Sequence, residues 1–457
     1  MNWEKLLSRN RIGEPLNEDV QSLNGRSDFQ RDFDRIVFCS AFRRLQDKTQ
    51  VFPLPESDFV HTRLTHSLEV SCVGRSLGNF VGEKILQRRK KLRSLFTQFH
   101  FGEIVAAACL AHDIGNPPFG HSGEDAIAEY FKSGNGIQYK NILNKKQWTD
   151  ISKFEGNAQG FRLVTKLQNQ YNKGGLRLTY TVLGALTKYP KESFTTSAGE
   201  KLSNNIYSKF GFFQSEKNLF KEVAQAVQLE KKISSTNNLW WNRHPLAFLV
   251  EAADDICYRI MDLEDGFRLG LLSFAETENF LLPLIKSESI NYSNRSSNDK
   301  IGYLRAKVIG SLVSEITEVF LEEEENILKG KFEEELISII PSAKKLEIIK
   351  TISIEKIYRT QVVVEREAAG YEVLGGLLDI FIEAANDLSD GKISNRNRTI
   401  LNLLPIEFRV PTSEVQVEDY DRLQMIIDFV SGMTDSFAVS LFRKLKGISL
   451  PGGRTVK

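Results

Sequence analysis

Apolar residues recur at every third or fourth position along most of the chain, and long runs of alternating β-branched residues are hard to find. The chain therefore reads as helical throughout. Leu64, Leu68, Cys72, Val73, Leu77, Val81 and Ile85 mark one helical face that ends before the basic run Arg88-Arg89-Lys90-Lys91. A second helix is expected from about Phe101 to Asp113, where Gly115-Asn116-Pro117-Pro118 must break it, because prolines remove donors and glycine releases the backbone. A third is expected to start at Ser122, with Asp125 three residues on as in a capping box. Polar stretches at 132–150, 191–205, 287–299 and 387–398 read as surface loops or links, and the acidic run 322–325 as a solvated helix face.

Length adds a division. At 457 residues the chain passes the size at which one hydrophobic core stops growing, so one large domain with an annex, or two closely packed helical lobes, 1–286 and 287–457, are expected, and the loop 287–299 reads either as their boundary or as an insertion in one domain. Hydrophobic residues make up 41% and charged residues 26%, an ordinary globular mix that excludes wholesale disorder. Sixty Lys and Arg nearly cancel 59 Asp and Glu, leaving a net charge of +1 and no global field toward nucleic acid or membrane. Cys39, Cys72, Cys109 and Cys257 each lie in an apolar segment and none forms a CxxC pair, so reduced, buried thiols are expected and a thiolate zinc site is excluded. The first residues lack the apolar core of a secretory signal, and no run is long enough to cross a bilayer. A cytoplasmic location without a membrane partner is expected.

The chemistry is concentrated in few residues. Four of six histidines fall in two clusters, His61 with His66, and His112-Asp113 with His121 and Glu124. Neutral imidazole with carboxylate suits Mn, Fe, Co, Ni or Zn, and hydrolysis is the natural use of such a site. Neighbouring helical side chains diverge by about 100°, so His112 and Asp113 need partners from other helices to hold one ion. His66 offers an imidazole, and the segment with Asp254, Tyr258 and Asp262 on one helical face offers a carboxylate. Taken singly, an adjacent His–Asp pair is more often a capped helix end, and the acidic positions 254–262 could form a solvated stripe. His61, His100 and His244 read as structural or surface residues.

The order His66, His112-Asp113, Asp254 resembles the signature of HD-domain phosphohydrolases. The wording of 35–53, 61–70, 154–162 and 429–438, spread over nearly the whole chain, is similar to that of bacterial dGTP triphosphohydrolases, with Cys39 where a serine is expected. The resemblance implies an all-α HD-domain helical core with an additional C-terminal helical lobe. It implies that His66, His112, Asp113 and Asp254 hold one divalent ion per subunit, Mn or Mg first, with Fe, Co, Ni or Zn as alternatives, and that His121 and Glu124 form the catalytic pair. The implied reaction is water attack on the α-phosphorus of dGTP, releasing deoxyguanosine and tripolyphosphate and so controlling dNTP pools. His121 would protonate the 5′-oxygen or manage the proton of the water.

By the same resemblance Gln50 and Asp262 would bind the 3′-hydroxyl, and Tyr258 would lie where a 2′-hydroxyl would collide. Asn157, Lys188, Tyr189, Lys209 and Arg63 would hold the phosphates, with Arg162 as a further phosphate candidate. The segments 358–365 and 366–371 resemble regions that build subunit contacts, which implies a homohexamer. Single-stranded DNA or a regulatory nucleotide is a further partner the resemblance admits, with the basic run 88–93 as a local patch for the former.

Overall fold

The computed structural model describes residues 1–15, 25–50, 61–194, 209–232, 238–286, 294–409 and 417–449. The fold is all-α. Among the described residues there are isolated β-bridges and no strands. The helices that place the site are α1 (Asp28–Phe38), α2 (Arg63–Arg88), α3 (Gln98–Ala111), α4 (His121–Lys132), α5 (Pro245–Arg268), α6 (Ser297–Leu328), α7 (Gln361–Ser389), α8 (Asp419–Ser431) and α9 (Asp435–Leu445).

The helix α3 is the centre of the first core. Every residue from Ile104 to Ala111 is buried, so it is apolar all round rather than amphipathic, as a helix enclosed by others must be. Its most extensive partner is α2. The two lie close because Gly74, Gly78 and Gly82 stand one turn apart on α2: a Cβ at Gly78 would come within 2.6 Å of the Phe101 carbonyl oxygen and 2.8 Å of the Gly102 Cα. The stripe 64–85 predicts this helix, but its buried face is rotated. Leu68 is 40% exposed and Cys72 is exposed, while His66, Val70, Val73, Leu77, Val81 and Ile85 are buried. The expectation of four buried thiols is therefore corrected to three, because the Cys72 position lies outside the seam with α3.

Helices α1, α2, α3, α5 and α6 share one apolar cluster, and α4, α7, α8 and α9 share another. The proposed division at 286/287 falls next to residues 287–293, which lie outside the described residues, and the clusters part along another line. Residues 297–357 pack in the first cluster on α5, whereas α4 packs in the second against α7.

Local expectations fail where tertiary contacts decide. The polar stretch 132–150 contains most of the helix Lys145–Ser152. The acidic run 322–325 is not wholly solvated: Glu324 is buried, accepting from Trp3 Nε1 at 2.8 Å and from Arg89 at 2.6 Å. Among the described residues no single helix is long and apolar enough to cross a membrane; α8 and α9 pass such a test only as a pair bent by 112°, and both pack in the second cluster.

Candidate active site

The helix that carries the His–Asp pair ends earlier than the sequence suggests. It stops at Ala111, His112 is its C-cap, and Asp113 lies in the following turn. This turn swings Asp113 away from the direction that continued helix would impose. His112 stays at the helix end, where its Nδ1–H donates to the Cys109 carbonyl oxygen at 2.6 Å. A carbonyl can only accept, so the neutral ring carries its lone pair on Nε2.

That Nε2 is buried and makes no hydrogen bond, although it lies 3.4 Å from Asp254 Oδ1 and 3.6 Å from Asp113 Oδ1. From α2, His66 Nε2 approaches Asp254 Oδ1 at 3.0 Å. One ligand atom each from His66, His112 and Asp254 lies within 4.8 Å of the others, so three helices bring two imidazoles and a carboxylate to one point. Burial works against charge on Asp254, yet the two imidazoles hold its carboxyl well below the usual carboxylate range. Burial likewise opposes a proton on His112, but Asp113 and Asp254 raise its pKa to about 9. Without an ion, a proton on His112 and the Arg63 guanidinium on Asp113 answer this negative charge; a divalent ion would take the place of that proton, freeing Nε2 as a ligand.

Asp113 stands beside this set and not within it. Its Oδ2 accepts from Arg63 at 2.6 Å and its Oδ1 from Asn116 Nδ2 at 2.5 Å. A carboxylate has further lone pairs, so the 3.6 Å approach of Oδ1 to His112 Nε2 leaves it able to turn one toward an ion.

The second wall begins at α4. No capping box forms at Ser122; the helix starts at His121 with Gly120 as N-cap and no side-chain cap. Phe119 and Gly120 have φ of 66° and 63°, a left-handed pair that turns the chain sharply into α4. A Cβ at Gly120 would also meet the Arg63 guanidinium at 2.6 Å and push it aside. Across the first turn of α4, His121 Nδ1 lies 2.6 Å from Glu124 Oε2. The other oxygen, Glu124 Oε1, accepts from the Gly156 amide at 2.6 Å. Glu124 is buried while the His121 side chain is 75% exposed. The hydrogen bond to Glu124 raises the His121 pKa, with burial opposing.

A cavity of about 370 Å³ lies between the walls, lined by Gln50, Arg63, Asp113, His121, Asp254 and Tyr258. Its far side is closed by Tyr358, Arg366 and Glu367, residues the sequence reading assigned to subunit contacts. Their place in the cavity had no local signal, because α7 reaches it only by packing on α4. Asp262 is not on the lining. It is buried, its Oδ2 accepts from the Tyr358 hydroxyl, and burial pushes its carboxyl up to about 8. Gln50 is on the lining, with its Oε1 buried and without a hydrogen-bond partner.

Of the phosphate candidates only Arg63 is on that lining. Lys188 pairs with buried Glu251 at 3.0 Å, and it and Tyr189 line a neighbouring cavity. Asn157 Nδ2 donates to Glu155 Oε1 at 2.6 Å, and Lys209 lies 3.9 Å from the same carboxylate. Arg162, readable from the sequence either as a further phosphate ligand or as a buried structural arginine, is buried, bidentate on Asp428, and 2.5 Å from Glu216. His244 caps α5 as a buried structural residue, donating from Nε2 to the Leu6 carbonyl. His61 is a clamp between helices rather than a surface residue, with Nδ1 2.8 Å from each oxygen of Asp265.

Sequence comparisons agree with this geometry. The HD domain family matches residues 63–147, and the phosphohydrolase-associated domain matches residues 341–444. A deoxyguanosinetriphosphate triphosphohydrolase-like protein of Synechocystis is 43% identical over 453 residues, covering 98% of this chain and all of that one. One from Pseudomonas aeruginosa is 40% identical over 459 residues, covering 99% of this chain and all of that one. The deoxyguanosinetriphosphate triphosphohydrolase of Yersinia pestis is 32% identical over 492 residues, covering 91% and 93%. The chain belongs to the deoxyguanosinetriphosphate triphosphohydrolase-like family of HD-domain phosphohydrolases.

Proposed function

We propose that this phosphohydrolase cleaves dGTP at the α-phosphorus, releasing deoxyguanosine and tripolyphosphate, and thereby limits the dNTP pool. The observation that carries the reading is the buried Nε2 of His112, without a hydrogen-bond partner, beside Asp254 and His66; Asp254 and Asp113 line a cavity on which His121 also lies. His66, His112 and Asp254, with Asp113 turning one lone pair inward, would hold one divalent ion, Mn or Mg. Such an ion supplies a water of lowered pKa and polarises a phosphate oxygen.

The chain's own groups do the rest. Glu124, fixed by the Gly156 amide, holds Nδ1–H of His121, which leaves Nε2 to exchange a proton with substrate. Glu124 raises the His121 pKa and so favours that proton relative to a free imidazole, as protonation of a departing 5′-oxygen requires. Tyr258 bars a ribose 2′-hydroxyl by contact, and Gln50 Oε1 offers the acceptor for a 3′-hydroxyl, with Asp262 acting on the sugar through the Tyr358 hydroxyl that it holds. Arg63, Lys188, Lys209, Tyr189 and Asn157 contribute cations and donors to the phosphates. The cations already sit against carboxylates, so binding extends existing pairs rather than neutralising bare charges.

The same reading includes a cytoplasmic enzyme of two lobes, 1–286 and 287–457, assembled as a homohexamer. In support of self-association, Val362, Val364 and Tyr371 of α7 are 56%, 51% and 42% exposed. Single-stranded DNA and a regulatory nucleotide remain partners to be assayed.

The test is incubation of the Mn-loaded protein with each dNTP and with GTP, with products resolved by anion exchange and phosphorus NMR. Deoxyguanosine with intact tripolyphosphate is expected. Deoxynucleoside monophosphate with pyrophosphate, or no product, would overturn the reading.

A further inference from the structure

We infer that His61 is a positioning residue that sets Gln50 in the cavity by pinning the backbone segment paired with Gln50's own to helix α5. The inference rests on the reading of Gln50 as the 3′-hydroxyl contact. Gln50 follows Lys48 and Thr49 in an extended stretch whose only backbone partner among the described residues is the stretch leading into α2. Thr49 and Thr62 form an antiparallel bridge, and the Arg63 amide donates to the Lys48 carbonyl at 3.0 Å. Two lining residues, Gln50 and Arg63, thus ride on one paired backbone unit.

The unit is fastened on both sides. On one side Asp435 Oδ2 accepts from the Thr49 amide at 3.2 Å and its hydroxyl at 2.9 Å, and Lys48 donates to the carbonyls of Asn116 and Ser431 at 2.5 and 3.0 Å. On the other side the fastening is His61. Its Nδ1 lies 2.8 Å from both oxygens of Asp265, its backbone amide donates to Asp265 Oδ2 at 3.3 Å, and its Nε2 lies 3.2 Å from Glu69 Oε1. Both ring nitrogens face carboxylates, so both must donate and the ring is an imidazolium. Burial opposes that charge, yet Asp265 and Glu69 raise the pKa to about 10. Charge-assisted hydrogen bonds of this kind hold geometry better than neutral ones.

Asp265 lies on α5 one turn beyond Asp262 and two turns beyond Tyr258. His61 therefore ties the unit bearing Gln50 to the helix that presents the sugar-facing tyrosine, and Glu69 ties it to α2. No other side-chain bond between residues 48–50 or 61–63 and α5 occurs among the described residues. Loss of His61 leaves the Asp435 side intact, so the unit stays folded while its distance from Tyr258 is no longer fixed.

The experiment uses the full chain with Mn, and compares kcat/KM for dGTP with that for 2′,3′-dideoxyGTP, which lacks the hydroxyl Gln50 would bind. In the parent protein dGTP is expected to be preferred. In His61→Ala that preference is expected to shrink about tenfold, the factor one hydrogen bond is worth. KM for dGTP should rise while kcat and bound metal stay within about threefold of the parent, because the ion and His121 are held elsewhere. His61→Gln, which can still donate to Asp265, should recover part of the preference. An unchanged dGTP-to-dideoxyGTP ratio in His61→Ala overturns the proposal, whatever happens to stability. Should His61→Ala fail to fold, Glu69→Gln and Asp265→Asn, which weaken the two carboxylate contacts of the ring, are read the same way, and an unchanged ratio in both overturns it. A parent enzyme that hydrolyses dGTP with no preference over dideoxyGTP would remove the Gln50 contact and this inference with it. A parent enzyme inactive on both would sink the proposed function itself.

Discussion

The two walls of the cavity are finished to different degrees. On the wall built by α2, α3 and α5, buried His66 and half-buried His112 and Asp254 converge from three helices, yet His112 Nε2 has no hydrogen-bond partner and two carboxylates crowd it. On the wall built by α4, His121 is largely exposed, but its partner is fully satisfied, with one Glu124 oxygen on His121 and the other on the Gly156 amide. An electrostatically unfinished cluster points to something it must bind. A finished pair around an exposed ring points to a group that holds and passes a proton.

Breaking the unfinished wall should have the largest effect. Asp254→Ala is expected to lose bound metal, read by elemental analysis after dialysis, and to lose activity by at least about a thousandfold, since several kcal/mol of charge stabilisation go with the ion. Asp113→Ala sharpens the point. Loss of metal would make Asp113 a ligand, whereas retained metal with a raised KM would make it the anchor of Arg63.

The finished wall should respond differently. His121→Ala is expected to keep metal and substrate affinity while kcat falls about a hundred- to ten-thousandfold, the usual contribution of a positioned acid. A change in KM alone would withdraw its catalytic role. Because Glu124 raises the His121 pKa, the protonated form, and with it kcat, persists to higher pH and is lost as pH rises through that pKa. Glu124→Gln should therefore move the alkaline limb of kcat to lower pH, toward the ordinary histidine value near 6.5.

The close α2–α3 seam beneath the unfinished wall predicts a stability effect. Gly78→Val must push Phe101 and Gly102 away and is expected to destabilise the protein by about 3 kcal/mol, measured by denaturant unfolding. The smallest effect is one of selectivity. Tyr258→Ala should narrow the gap between dGTP and GTP by about tenfold, and an undiminished gap would show that ribose is excluded by another residue.

Much of the fold was legible in the sequence, because helical periodicity is local. The stripe 64–85, the apolar run before His112 and the Gly-Asn-Pro-Pro break all mark real boundaries within a few residues. The order His66, His112-Asp113, Asp254 and the spacing of His121 and Glu124 were legible for the same reason. Elsewhere local pattern misled. Leu68 and Cys72 fit an apolar stripe but face outward, since glycines rather than large residues form the α2–α3 seam, and Ser122–Asp125 reads as a capping box that the left-handed turn at Phe119 and Gly120 replaces.

What the sequence determined by itself was the helical class, the inventory of chemical groups and the family to which they belong. Only the tertiary structure decided which groups share a cavity. It took Asp262 off the lining and put Tyr358 in front of it, committed Arg162 to Asp428, brought Arg366 and Glu367 across from α7, and turned His61 into a clamp. The reason is physical. Periodicity and capping act within a few residues, while partners of charged side chains are set by helix packing that joins positions hundreds of residues apart.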